Sequence, residues 1–248
     1  MYKESIKIKE YFEKLYKNSK FEFYKIVEQN IINENKMFIV TANPETIMSS
    51  EENKSLKKAL LDGNTSIIPD GIGVVKGAKM LGYSVFETTP GVELCTKLFE
   101  FCNQYKKSIF LFGAKQEIVL KLSGKIKVDY PNANICGFEN GYVNNKQEIM
   151  EKISELKPDV VLVALGIPQQ EILIYNNLNK FNKGIFVGVG GSFDVLSGTK
   201  KRAPKLFRKL HIEWLYRIMK EPKRLKRFFK SNIKYIFKIK KEVQRWKL

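Results

Sequence analysis

The residue types able to do chemistry in this chain sit in short segments, each following an apolar run. Pro69-Asp70-Gly71-Ile72-Gly73 follows residues 66–69. Proline fixes the chain there, and the glycines permit a tight turn with close approach of a ligand. Asp70 is expected at a strand end beside open space, either as a general base or hydroxyl ligand, or as a turn residue capping the next helix. Gly166-Ile167-Pro168-Gln169-Gln170-Glu171 follows residues 160–165. Proline at a helix start among polar residues predicts a helix N-terminus facing a ligand crevice, with Gln170 and Glu171 binding sugar hydroxyls or capping that helix. The loop Gly188-Val189-Gly190-Gly191-Ser192-Phe193-Asp194 lets backbone N–H groups approach a phosphate. It is not G-x-G-x-x-G, which argues against a dinucleotide fingerprint. Gly113-Ala114-Lys115 is a third, weaker segment of the same kind. No D-x-D occurs and His211 is the single histidine, so no metal ion held by carboxylates or histidines is expected, and no cofactor either. Cys95, Cys102 and Cys136 lack metal-ligand spacing and read as core thiols of a reducing compartment.

These segments need a scaffold, and the hydrophobic pattern supplies one. Residues 37–42, 66–69, 108–113, 133–138, 160–165 and 185–189 are short apolar runs and read as strands. VVLVAL at 160–165 has no polar alternation, which predicts a strand buried on both faces. Residues 44–61, 91–106, 115–130 and 144–157 are longer and helix-patterned. Alternating β and α predicts a Rossmann-like α/β fold, a parallel sheet with helices on both sides. Ligands bind such sheets at the carboxyl ends of the strands, where all the segments above would lie.

Charge divides the chain in two. Residues 199–248 hold 19 Lys and Arg against 3 acids, whereas residues 1–198 hold 25 against 23. All six arginines lie from Arg202 onward. Residues 1–198 are therefore expected as a near-neutral catalytic body and 199–248 as a basic helical appendage engaging an anionic partner. Phe207, Leu210, Trp214 and Ile218 form a helical stripe expected to dock on the body, and Glu221-Pro222 breaks it. Beyond it, Leu225, Phe229, Ile233 and Ile236 mark an apolar face flanked by lysines and arginines. A basic amphipathic helix predicts a membrane-surface element; the plainer alternative is a helix whose apolar stripe packs on its own protein. No run is long enough for a transmembrane helix, and the N-terminal residues lack the apolar core of a secretory signal.

Taken together, the segments resemble the WecG/TagA/CpsF glycosyltransferases, from about residue 37 to 229. The resemblance rests on TANPE (41–45), PDGIG (69–73), GIPQQE (166–171), GVGGSFDVLSG (188–198), KRAP (201–204) and EWLYRIMKEPKRLKR (213–227). The last two are specific in combination, and the first 36 residues match poorly. The resemblance implies a metal-independent, inverting transfer of a sugar, N-acetylmannosamine or a related hexose. The donor would be a UDP-sugar and the acceptor a polyprenyl-diphosphate-linked sugar, at the cytoplasmic membrane face during cell-surface polysaccharide or teichoic acid assembly. It places the base on Asp70, the catalytic pocket on Thr41, Asn43 and Gln170, and the nucleotide near Asp194. It also places an aromatic, Tyr142, near the pocket, and puts Arg217, Arg224 and Arg227 over the diphosphates.

One departure stands out. Where the family usually carries an arginine before the glycine opening the next helix, this chain has Thr88, ahead of Gly91. Lys76, Lys79 or a C-terminal arginine would have to replace that phosphate contact. The appendage is expected both to target the membrane and to complete the enzyme. A cut near Tyr235 would then cost membrane binding but spare turnover of a soluble acceptor, and a homo-oligomer is possible. Two other classes fit parts of the pattern. A nucleic-acid binder would use the basic tail, but its aromatics mostly fall at helical spacing; no nucleic acid is expected. A nucleotide-cofactor oxidoreductase would need the glycine fingerprint that is absent.

Overall fold

The structure, a computed structural model, describes residues 8–210, 212–220 and 225–245. Six parallel strands run through it: β1 Lys36–Ala42, β2 Thr65–Pro69, β3 Ser108–Gly113, β4 Asn134–Glu139, β5 Val160–Ala164 and β6 Gly184–Gly188, in the order β2-β1-β6-β5-β3-β4. Successive strand residues point to opposite faces. Phe38, Val40, Phe110, Phe112, Val161 and Val163 enter one core, and Ile39, Ile109, Leu111, Leu162 and Val187 the other. β5 and β6 are buried along their whole length, as an apolar run without alternation requires.

Helices cover both faces. The first core is closed by α1 Lys9–Lys14, α3 Pro44–Glu52, α4 Lys54–Leu61, α5 Ile72–Met80, α8 Lys146–Leu156 and α9 Gln169–Asn177. The second is closed by α2 Lys20–Ile32, α6 Gly91–Tyr105, α7 Gln116–Asp129 and α10 Ser192–Leu196. This is the expected Rossmann-like α/β fold. Tyr11, Phe12 and Phe23, in the N-terminal stretch without a recognisable motif, are fully buried, so that stretch belongs to the body. The helix expected over 44–61 is two helices, because Asn53 leaves the helical conformation and its Oδ1 accepts the Leu56 N–H at 3.0 Å, starting α4. Cys95 and Cys102 are buried free thiols, and burial pushes both far above the ordinary thiol value.

Three further helices follow: α11 Lys205–Lys209, α12 Glu213–Lys220 and α13 Leu225–Arg245. The stripe expected as one helix over Phe207–Ile218 is split between α11 and α12, which fold onto each other with the Phe207 and Tyr216 rings 5.6 Å apart. Ile218 is buried, whereas Leu210 and Trp214 stay exposed, so only part of that stripe docks. α13 lies against α3 and α5. Its docked face carries Tyr235 and Ile239, both buried in the first core. The Tyr235 hydroxyl donates to the Gly73 carbonyl at 3.2 Å, and Lys234 and Lys238 pair with Glu52 and Glu51 of α3. The face carrying Leu225, Phe229, Ile233 and Ile236 is exposed. No described helix is long and apolar enough to cross a membrane. His211, Glu221 and Pro222 lie outside the described residues.

Candidate active site

β2 delivers Asp70 to the carboxyl edge of the sheet. Its N–H donates to the Ala42 carbonyl of β1 at 2.8 Å, extending the ladder by one residue. Gly71 then takes φ +96° and starts α5 as its N-cap. That φ is the region where glycine has no Cβ to clash. The cap position therefore falls on Gly71, and Asp70 stands one residue outside it. A cavity of about 480 Å³ opens here, within the size range of small-ligand sites. Asn43, Glu45 and Asp70 form its strand-end side, and Trp214, Ile218, Phe229, Ile233 and Ile236 come from α12 and α13. The body and the basic appendage thus share one cavity. The sequence reading missed Glu45, Glu213, Ser231 and Asn232 on its wall. The last two were visible as polar interruptions in an otherwise basic and apolar helix.

Around this cavity the other expected residues spread along the same edge. Asn43 caps α3: its Oδ1 accepts the Thr46 N–H at 3.0 Å, which leaves Nδ2 as the donor end of the side chain. Thr41 is buried beneath, its hydroxyl donating to the Gly188 carbonyl at 3.2 Å and tying β1 to β6. Gln170 is 3% exposed, and its Oε1 accepts the N–H groups of Gly166 and Gly190, both at 3.0 Å. It is a strut joining the loops after β5 and β6, and it occupies the Gly190 N–H that could otherwise meet a phosphate. Asp194, in α10, pairs with Lys200 at 3.0 Å. Gly113, at φ +125°, packs directly on the Ala164 carbonyl. Tyr142 is 74% exposed beyond β4, the far edge strand. Five strand spacings separate β2 from β4, about 24 Å, so Tyr142 and Asp70 do not face one small ligand group together. Arg224 lies outside the described residues, as do the side chains of Arg217 and Arg227.

Near the missing arginine, the Thr89 N–H donates to the Pro69 carbonyl at 2.8 Å, which lays residues 87–91 beside the end of β2. Arg202 reaches Glu93 in the first turn of α6 at 2.8 Å. One guanidinium of the appendage therefore sits close to this stretch, while Lys76 and Lys79 are exposed on α5.

Glu171 is 1% exposed, accepts the Gln170 Nε2–H at 2.7 Å through Oε1, and makes no hydrogen bond to the described residues through Oε2. Burial pushes its carboxyl up to about 7, the bond from Gln170 opposes this, and the negative charge of Glu45 adds to it. A carboxyl whose folded value is raised holds its proton in the native state over a range where the unfolded chain has lost it. Its contribution to stability is then full below about 4.5 and is lost as pH rises to about 7. Glu171→Gln removes that loss. Urea unfolding should show the wild type losing roughly 3 kcal/mol relative to the variant between acid and mildly alkaline pH. Parallel stability curves for the two proteins would contradict the raised value.

Comparison with known proteins decides the family. The profile of the "Glycosyl transferase WecG/TagA/CpsF family" matches residues 14–248. The chain belongs to the WecG/TagA/CpsF glycosyltransferase family. The match begins within α1, so the family region is wider than the motifs between 37 and 229. The chain is 39% identical over 206 residues to a protein of Bacillus spizizenii, covering 83% of this chain and 80% of that one. It is 39% identical over 189 residues to one of Bacillus subtilis, covering 76% and 73%. It is 36% identical over 194 residues to one of Staphylococcus aureus, covering 78% and 76%. Each relative is named an N-acetylglucosaminyldiphosphoundecaprenol N-acetyl-beta-D-mannosaminyltransferase. In this WecG/TagA/CpsF chain the PDG, TANPE, GIPQQE and GVGGSFD blocks all fall on the carboxyl edge, and the KRAP and EWLYRIMK blocks lead into helices closing over it.

Proposed function

We propose that this glycosyltransferase moves N-acetylmannosamine, or a closely related hexose, from a UDP-sugar to a polyprenyl-diphosphate-linked sugar, with inversion and without a metal. The observation carrying this reading is that Asp70 shares a cavity with α12 and α13. In the reaction the acceptor hydroxyl gives its proton to the Asp70 carboxylate as its oxygen attacks the anomeric carbon. The bond from that carbon to the UDP oxygen breaks, and the diphosphate leaves with the electron pair. Asn43 is placed to orient the sugar. The leaving charge needs donors. Arg217, Arg224 and Arg227, in or beside the helices closing the cavity, are the groups the family resemblance assigns to it. Among the described residues no three His, Cys, Asp or Glu side chains gather as a metal site.

A lipid acceptor also accounts for the appendage. Leu225, Phe229, Ile233 and Ile236 present an exposed apolar strip beside basic residues, which suits peripheral attachment at an anionic cytoplasmic leaflet. The ion pairs of Lys234 and Lys238 with α3 set part of that charge to docking the helix instead. The test is incubation of the purified chain with UDP-N-acetylmannosamine and a short-chain polyprenyl-diphosphate N-acetylglucosamine, with product mass as the readout. A disaccharide-diphosphate lipid should form, and EDTA should leave its rate nearly unchanged. Activity abolished by chelation and restored by Mg²⁺ or Mn²⁺ would sink the metal-free mechanism. The absence of product with any UDP-sugar would sink the donor.

A further inference from the structure

We propose that Phe229, Ile233 and Ile236 of α13, with Trp214 of α12, form a track for the first isoprene units of the acceptor, so that the enzyme reads the lipid chain as well as the sugar diphosphate. The inference rests on the acceptor class proposed above. The cavity has two chemical ends. Asn43, Glu45 and Asp70 make a polar end at the strand termini, and on the helix side the four track residues supply the apolar surface, with Glu213, Ser231 and Asn232 beside them. Phe229, Ile233 and Ile236 line the cavity while remaining 48%, 48% and 50% exposed. One set of side chains therefore begins inside the site and continues to the outer surface.

Spacing and docking fit the same conclusion. Residues at i, i+4 and i+7 lie along one helix face, and at 1.5 Å per residue this strip runs about 10 Å. It does not hold α13 to the body, because Tyr235 and Ile239 do that from a different face. An apolar strip leading away from a polar reaction centre matches one kind of substrate: a molecule with a sugar diphosphate head and a hydrocarbon tail. A wholly water-soluble acceptor would leave these side chains half exposed in the complex, without the gain from burying them.

The track separates from membrane binding when no membrane is present. Acceptors with the same sugar diphosphate and either a methyl group or one, two or three isoprene units are compared below their aggregation concentrations, with no lipid added. For the wild type, kcat/KM should rise about tenfold per unit over the first two units and then level off. The ratio between the three-unit and methyl acceptors, about a hundredfold, should fall to within a few-fold of one in Ile233→Asn. Phe229→Ser, at the first residue of the strip, should lower it in the same direction. The ratio is internal to each protein, so a general loss of activity does not move it. A wild-type ratio near one with the methyl acceptor turned over would overturn the track and leave the acceptor class standing. So would variants that keep the wild-type ratio. No turnover of any of these acceptors would overturn the acceptor class itself, and the track with it.

Discussion

Asp70→Asn is expected to lower kcat by about 10²–10⁴-fold, the usual effect of losing a general base. The substitution keeps the side-chain shape and removes its charge and its ability to take a proton. The backbone at residue 70 is held without help from the carboxylate: its N–H continues the ladder to Ala42, and the turn into α5 is made by Gly71. Fold and donor binding should therefore survive. A thermal shift with UDP-sugar should match the wild type while product formation falls, because a ligand that binds only the native state raises its stability by its own affinity. If the Asn variant turns over within a few-fold of the wild type, another group takes the proton. Glu45 is then the next carboxylate to test, since it lines the same cavity.

How much of this was legible in the sequence depends on the range of the forces involved. Each strand was found within one or two residues, because a run such as VVLVAL can only be buried on both faces. Asp70 was found because its signal is local, a proline before it and two glycines after it. α5 is anticipated only as the next helix for Asp70 to cap, without bounds, since its nine residues include two glycines. Gln170 was read as pocket-lining, yet its amide joins two loops that are 20 residues apart in sequence, and no local pattern announces such a bond. The docked face of α13 was also hidden. Its hydrophobic stripe at Leu225, Phe229, Ile233 and Ile236 is the stronger pattern, but Tyr235 and Ile239 dock. Tyr235 fits because Gly77 of α5 leaves room for its ring and Gly73 offers a carbonyl. That is shape complementarity between residues more than 150 positions apart, and helical periodicity carries no trace of it.

That docking sets the second large effect. The chain cut after residue 199 retains all six strands and every helix of both cores except α13, whose Tyr235 and Ile239 it loses from the first core, so it should fold, with far-UV circular dichroism typical of an α/β domain. It lacks Trp214, Phe229 and Ile233 from the cavity wall, and the appendage arginines as well. Loss of positioning alone costs about 10²-fold or more, and loss of charge stabilisation at the leaving group adds to it. Turnover of a soluble short-chain acceptor should therefore fall below detection. A gentler variant gives the same test without removing any residue. A side chain at Gly77 would collide with the Tyr235 ring, so Gly77→Leu should push α13 off α5, raise its susceptibility to protease and cut turnover by about 10²-fold. The contacts also change the expectation for a cut near Tyr235. That truncation removes Ile239 and Lys238, which hold α13 against the body, so it should lose turnover of the soluble acceptor together with vesicle binding. If the 1–199 chain or Gly77→Leu works on the soluble acceptor at nearly the full rate, α12 and α13 are not part of the working site. Their role would then be confined to the membrane, and the diphosphate charge would have to be met by the body, whose positive side chains are all lysines.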